Sequence, residues 1–436
     1  MDTESARPRV ENLVSDAARA LRHRLVNTLA DLVQIPSENT PPTGNELACQ
    51  EYVHQRLVAL GMDSEMYDIR HVRGLISHPA FRHQRDYANR PNVGAILKGS
   101  GGGKSLLLSG HIDTVPRSSS EWTRDPFSAV VEDDRLYGLG SNDMKGGIAA
   151  ILVAVEAIQE AGVRLRGDLM IETIVDEEFG GVNGTLASRL RGPRADAAVI
   201  TEPSQQMICP AQMGGRIAHI TLHADNGGIL FEGPPPPAIS DQIHYLLGKI
   251  KEFARQRQEK TPVHKLYEGA CDPVPVWVTK IHSGGWGTKE PVTLPTKCRI
   301  ELYWQSMPGE EVEAIDREFF YWFEQSIKSR GDLFSIKPDV SFPIEFLPGS
   351  VSDVQNDLVK GLSDTFQQVT GAEPLVRGLA GPCDMFVFHR HFDTPALLFG
   401  PRGGNTHNPD EWVDLESVQA TMETLARFIC HWCDAE

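Results

Sequence analysis

Five short segments concentrate residue types that hold divalent metal ions, and each sits at or just beyond an apolar run. In Ser109-Gly-His111-Ile-Asp113 the histidine and the aspartate are one strand alternation apart and face the same way. A metal-bound imidazole needs a partner for its other N–H, and Asp113 is placed to orient His111 in that role. In Gly138-Leu-Gly140-Ser-Asn-Asp143-Met-Lys-Gly146-Gly147, glycines on both sides let the backbone turn sharply around an acid. Asp143 would either cap the following helix or bridge two cations with its two oxygens, and the segment alone leaves both readings open. Asp176-Glu177-Glu178 places three carboxylates at a strand end, where they repel unless a dication neutralises them. Neighbouring acids pointing different ways can divide the work, one ligating and the other taking a proton from water. Glu202, in Ile200-Thr-Glu-Pro-Ser, and His407, in Thr406-His-Asn-Pro-Asp-Glu411, complete the set. Two histidines with several carboxylates and no thiolate suit zinc, manganese or cobalt.

Such a set needs a common scaffold, and in open α/β sheets ligands gather beyond the carboxyl ends of the strands. Apolar spacing predicts helices over 11–33 and 44–60, then strands over 93–97 and 105–112, a helix over 146–161 and a strand over 168–175. A short helix over 184–190 and a strand over 197–200 follow. This alternation predicts an α/β sandwich with a largely parallel sheet. After Pro210 the pattern changes to strands over 216–223, 274–282 and 298–304 with helices over 239–257 and 310–328, a smaller α+β domain inserted into the first. The first pattern resumes with a helix over 353–369, a strand over 395–399 and a helix over 415–432.

Three other features carry less. The His- and Arg-rich stretch from Arg70 to Pro91 reads as a solvated insertion, with a flap over an anionic substrate as the alternative. Gly99-Ser-Gly-Gly-Gly-Lys104-Ser105 lacks the first glycine of a phosphate-binding loop and reads as a hairpin turn. Cys430 and Cys433 read as ordinary helix cysteines. Lys and Arg total 42 against 59 Asp and Glu, and the net charge of −17 argues against nucleic acid or an anionic membrane as partner. The N-terminus has no apolar signal core and no stretch is long enough to span a bilayer, so a cytoplasmic enzyme with a small-molecule substrate is expected.

Together SGHIDTVP, GLGSNDMKGG, DEEFGG, TEPS and THNPDEW resemble the metal-dependent deacylases and carboxypeptidases that include acetylornithine deacetylase and succinyl-diaminopimelate desuccinylase. The resemblance implies two divalent ions bridged by Asp143, with His111 and Glu202 completing one site and Glu178 and His407 the other. It implies Glu177 as general base and acid and Asp113 as the residue that orients His111. It also implies a catalytic domain in two parts, 1–211 and 343–436, around a lid and homodimerisation domain over 212–342.

The departures from the family pattern fall in that lid. No histidine stands in the expected place near Gly228, and the spacing of His219, His223 and His244 does not support any of them well as a substitute; Val292 replaces the lid asparagine, and Gln305 the lid arginine that grips a substrate carboxylate. A glutamine cannot make the bidentate charged clamp of an arginine. The expected reaction is therefore amide hydrolysis of a small acylated amine that is not a standard N-acyl amino acid. The alternative is removal of an amino group from a small aromatic amine, as in the nitroanthranilate aminohydrolase branch, and a non-catalytic binding protein stands as the third reading. Gln305, Arg377 and Arg402 are the substrate-contact candidates, with structural ion pairs as the plain alternative for the two arginines. Trp286 and Trp304 would line an aromatic pocket or pack the core.

Overall fold

The computed structural model describes residues 3–225, 229–230, 237–285, 290 and 292–436. Its contacts divide the chain into two units. One comprises Met1–Ala211, Val351–Leu379 and Cys383–Glu436, and the other Gln212–Ser350 with Ala380–Pro382.

The first unit is built on a mixed sheet in which Ile208–Gln212, Ala396–Leu398, Ala197–Ile200, Leu106–His111, Leu169–Ile174, Pro91–Leu97 and Asp63–Asp68 follow one another. The four strands from Ala396–Leu398 to Leu169–Ile174 are parallel. The outer pairings are antiparallel, so the expected parallel character holds only at the centre. That centre positions the chemistry. Three adjacent strands run the same way, and His111, the Asp176–Glu178 run and Glu202 lie at or just past their carboxyl ends.

The helix Gly146–Glu160 is apolar on nearly every side because it is enclosed by the strand Leu106–His111 and by the helices Thr3–Ala20, Arg22–Gln34 and Leu415–Trp432. Glycine is required where it meets the sheet: a Cβ at residue 147 would collide with the Thr201 carbonyl oxygen. The single helix expected over 11–33 is two helices broken at Leu21. The one expected from Gly44 starts at Leu47, because Thr43–Gly44 pairs with Asn39–Thr40. The Gly99–Ser105 connection is not a hairpin, since Leu169–Ile174 lies between the strands it joins.

Several elements escaped sequence reading, among them the strands Asp63–Asp68 and Ile208–Gln212, the helix Met385–His391 and one small sheet. Gly403–Gly404, Trp412–Asp414, Arg135–Tyr137 and Val130–Glu132 form a small antiparallel sheet of two- and three-residue strands. It brings the segment before Asp143 against the segment after His407.

In the second unit an antiparallel sheet runs Val276–Ser283, Lys297–Ser306, Gly214–His223, Asp339–Ser341. Alternate residues Ala218, Ile220, Leu222, Ile300, Leu302 and Trp304 pack with Phe253, Phe319, Trp322 and Phe323 from the helices Ile239–Lys260 and Val312–Lys328. Trp304 is fully buried and stacks on Phe319 with ring centroids 5.1 Å apart, so it packs the core and lines no pocket. Trp286 and Gly228 lie outside the described residues.

Candidate metal centre

The buried His111 ring is held by the main chain rather than by a side chain. Its Nδ1 lies 2.8 Å from the carbonyl oxygen of Asp113, whereas the nearer Asp113 carboxylate oxygen is 3.8 Å away. Asp113, the residue expected to orient His111, meets the ring through its carbonyl. The carboxylate instead accepts the backbone N–H groups of Glu177 and Glu178.

A carbonyl can only accept, so Nδ1 carries the ring proton and Nε2 is left with its lone pair when the ring is neutral. That Nε2 lies 3.0 Å from Asp143 Oδ1 and 3.7 Å from Glu202 Oε1. A lone pair aimed at two carboxylates is repulsive unless a cation or a proton lies among them. On the other side Asp143 Oδ2 is 3.4 Å from His407 Nε2, which is 3.0 Å from Glu178 Oε2. Each Asp143 oxygen therefore faces one imidazole, and each imidazole faces one glutamate. Ligand atoms of His111, Asp143 and Glu178 all lie within 4.8 Å of one another. Asp143 is not a helix cap, because the helix begins at Gly146 and Asp143 lies in the irregular turn before it.

The protonation preferences express the same crowding. Burial opposes charge on His111, but Glu202 and Asp143 outweigh it and hold the ring well above the usual histidine range. Burial likewise opposes charge on His407, and Glu178 and Asp143 again prevail. Burial would raise Asp143, yet the two imidazoles keep its carboxyl below the usual range. Burial pushes Glu177, Glu178 and Glu202 upward, with neighbouring carboxylates adding to it. Positive charge at the two Nε2 positions relieves the whole cluster, and this donor set fits divalent ions there. Half of the His407 side chain is exposed against 2% for His111, so the His407 end is the open one.

Two supporting carboxylates went unassigned in the sequence. Glu411 is buried and accepts the backbone N–H groups of Gly140, Asn142 and Asp143 at 2.8 to 2.9 Å, which fixes the turn carrying Asp143. Its only sequence signal is an acid directly before the strand Trp412–Asp414. Asp384 is buried beside the centre and accepts from Thr185 Oγ1 at 2.6 Å.

The 70–91 stretch is not simply solvated. His71, Arg73 and His83 are exposed, but Tyr87 and Arg90 are buried and Arg85 reaches the Phe179 carbonyl. Arg90 pairs with Glu46 through two guanidinium nitrogens, and both side chains are fully buried. Arg90→Ala leaves that carboxylate unpaired, and a loss of about 3–5 kcal/mol is expected in urea unfolding. An effect under about 1 kcal/mol, the level of an exposed pair, would contradict this account.

Of the substrate-contact candidates, Arg402 is exposed and lies 3.4 Å from Asp414, the structural ion pair weighed for it. Arg377 is exposed on the strand Val376–Leu379. Val292 is exposed, and Gln305 is buried in the second unit.

A model of peptidase family M20/M25/M40 matches residues 107–431, the span that carries all five segments. The chain belongs to peptidase family M20/M25/M40. Among similar proteins, a Bacillus subtilis protein named N-formyl-4-amino-5-aminomethyl-2-methylpyrimidine deformylase is 33% identical, over 90% of this chain and 91% of its own. A Halalkalibacterium halodurans protein of the same name is 26% identical over 94% and 95%. The crystal structure of human carnosine dipeptidase 1 superposes with a TM-score of 0.75 at 16% identity, covering 97% of this chain and 100% of that one, a likeness of fold. Among the described residues no helix is long and apolar enough to cross a membrane.

Proposed function

We propose that the chain is a dinuclear metal-dependent deacylase for a small N-acylated amine without a carboxylate, with a formylated aminomethyl heteroaromatic as the substrate class. The observation that carries this reading is the Asp143 carboxylate facing His111 on one oxygen and His407 on the other. Glu202 completes the first site and Glu178 the second. These residues would hold two divalent ions, zinc, manganese or cobalt by donor chemistry, which would supply Lewis acidity for the scissile carbonyl and lower the pKa of the attacking water. Glu177 is the proton carrier: it takes the proton from attacking water and returns it to the leaving nitrogen. Its own burial and the neighbouring carboxylates raise its affinity for that proton.

Gln305 supports the absence of a substrate carboxylate. Its Nε2 donates to Tyr303 Oη at 3.1 Å and to the Ala380 carbonyl at 3.0 Å. The carbonyl can only accept, which fixes the amide orientation and leaves Oε1 as the acceptor end. Glutamine in the place of the arginine of the family pattern offers a substrate carboxylate no bidentate cation. The names of the two relatives, whose substrate is a formylated amine on an aminopyrimidine, point the same way.

The assay pairs N-formyl arylmethylamines with N-acyl amino acids and aminobenzoates on metal-loaded enzyme. It measures formate or carboxylate alongside ammonia. Formate with a free primary amine is expected. Ammonia alone would replace this reading with the aminohydrolase one. Gln305→Arg is expected to shift preference toward N-acyl amino acids on the order of tenfold, by restoring a bidentate cation. No shift would remove Gln305 from substrate recognition.

The same proposal includes a homodimer through the second unit. Its strand Val276–Ser283 is at a sheet edge and exposes Trp277 and Ile281, the kind of edge a second copy pairs with. It also includes a reducing, cytoplasmic setting, supported by seven free cysteines.

A further inference from the structure

The loop that carries Glu177 and Glu178 leaves its strand through Asp176, a fully buried residue with φ of +64°. A non-glycine residue in the left-handed region needs its surroundings to hold it there. The return of the loop is equally tight, since a Cβ at Gly181 would collide with the Asp176 carbonyl oxygen. Two side chains from outside the five segments hold this turn by its carboxylate. Tyr87 donates its hydroxyl to Asp176 Oδ2 at 2.5 Å and itself accepts from Asn183 Nδ2 at 2.6 Å. Asn39 Nδ2 reaches Asp176 Oδ1 at 3.2 Å and Asp113 Oδ2 at 2.9 Å.

The amide of Asn39 therefore stands between two buried carboxylates and gives one hydrogen to each. Asp113 in turn accepts the N–H groups of Glu177 and Glu178. The guanidinium groups of Arg85 and Arg90 lie 3.7 and 3.8 Å from Asp176 Oδ1 and balance its charge from behind. The chain of contacts runs from Asn39 and Tyr87 through Asp176 and Asp113 to the backbone of Glu177. No member of it donates to the Glu177 side chain, so the effect on that carboxylate is one of aim.

We propose that Asn39 and Tyr87 are positioning residues for the proton carrier. They clamp the left-handed turn at Asp176 from the N-terminal 36–40 segment and the 70–91 stretch, and thereby set the direction in which Glu177 projects. This rests on Glu177 being the proton carrier, the reading given above. The 70–91 stretch is then a brace behind the catalytic loop rather than a flap over substrate.

The test uses full-length, metal-loaded enzyme and N-formylbenzylamine or the formylated aminomethylpyrimidine as probe. Tyr87→Phe removes one hydroxyl and keeps the buried ring, and Asn39→Ala removes the bridging amide. Each is expected to lower kcat on the order of 10²-fold, the cost of a misaligned catalytic group, with KM held within about twofold. Metal content, read by elemental analysis, is expected to match the wild type. In a Glu177→Ala background neither change should lower the residual rate further, because the group they aim is gone. Wild-type kcat in Tyr87→Phe, or a loss of activity proportional to lost metal, would overturn the proposal. So would additive losses in the Glu177→Ala background, which would mark a merely structural role. If Glu177→Ala itself leaves kcat unchanged, the proton-carrier reading fails first, and the two failures are told apart by that single variant.

Discussion

Glu177→Ala is expected to lower kcat by about 10²- to 10⁴-fold, the range for removing a positioned acid–base group. Metal content should stay near that of the wild type. The reason is a division of labour among three adjacent acids. Glu178 faces His407, Asp176 is buried and bound by Tyr87, and only Glu177 has no ligand partner. Its backbone N–H still donates to Asp113 in the variant, so the loop keeps its path. Elemental analysis and steady-state kinetics on one preparation decide the matter. Lost metal with retained turnover would reverse the roles given to Glu177 and Glu178.

Asp143→Ala is expected to act on both ions at once. One carboxylate serves two imidazoles, with Oδ1 at 3.0 Å from His111 Nε2 and Oδ2 at 3.4 Å from His407 Nε2. Removing it strips a ligand from each site and brings the two histidines together without their shared counter-charge. The loss of affinity should exceed the roughly 10- to 100-fold that follows from losing a partner outside the ligand set. Titration with a divalent ion should find neither site filled at concentrations that saturate the wild type, and turnover should fall to background. His407→Ala, by contrast, should spare the site at His111. One tight equivalent of metal in Asp143→Ala would mean that the carboxylate serves a single ion.

The parts of this centre that were legible share a property. His111, Glu177, Glu178 and Glu202 each lie at or just beyond an apolar strand, and parallel neighbouring strands carry their ends to one edge. Apolar runs are visible in a single sequence. The illegible parts depend on contacts between distant residues. Tyr87 meets Asp176 from 89 positions away, and Asn39 meets it from 137. Nothing in the local pattern of either residue marks it as buried and paired. The charge of the 70–91 stretch suggested solvent, but Arg90 is neutralised by Glu46, which lies in an otherwise plain segment. Asp113 shows a finer limit: residue type and spacing identified the partner of His111, but not whether carbonyl or carboxylate makes the contact.

The small sheet that joins Arg135–Tyr137 to Trp412–Asp414 has a consequence for synthesis. The turn at Asp143 is pinned by Glu411, and the second imidazole is His407, so more than 260 residues separate Asp143 from these two partners. On a ribosome delivering about 5–20 residues per second, the first half of the centre waits on the order of ten seconds or more for the second. During that interval the nascent chain carries Glu177, the proton carrier proposed above, but lacks the residues proposed to complete the cradle for the ions. Hydrolytic competence is therefore expected to arrive late and all at once, and a polypeptide interrupted before residue 407 is expected to be inert.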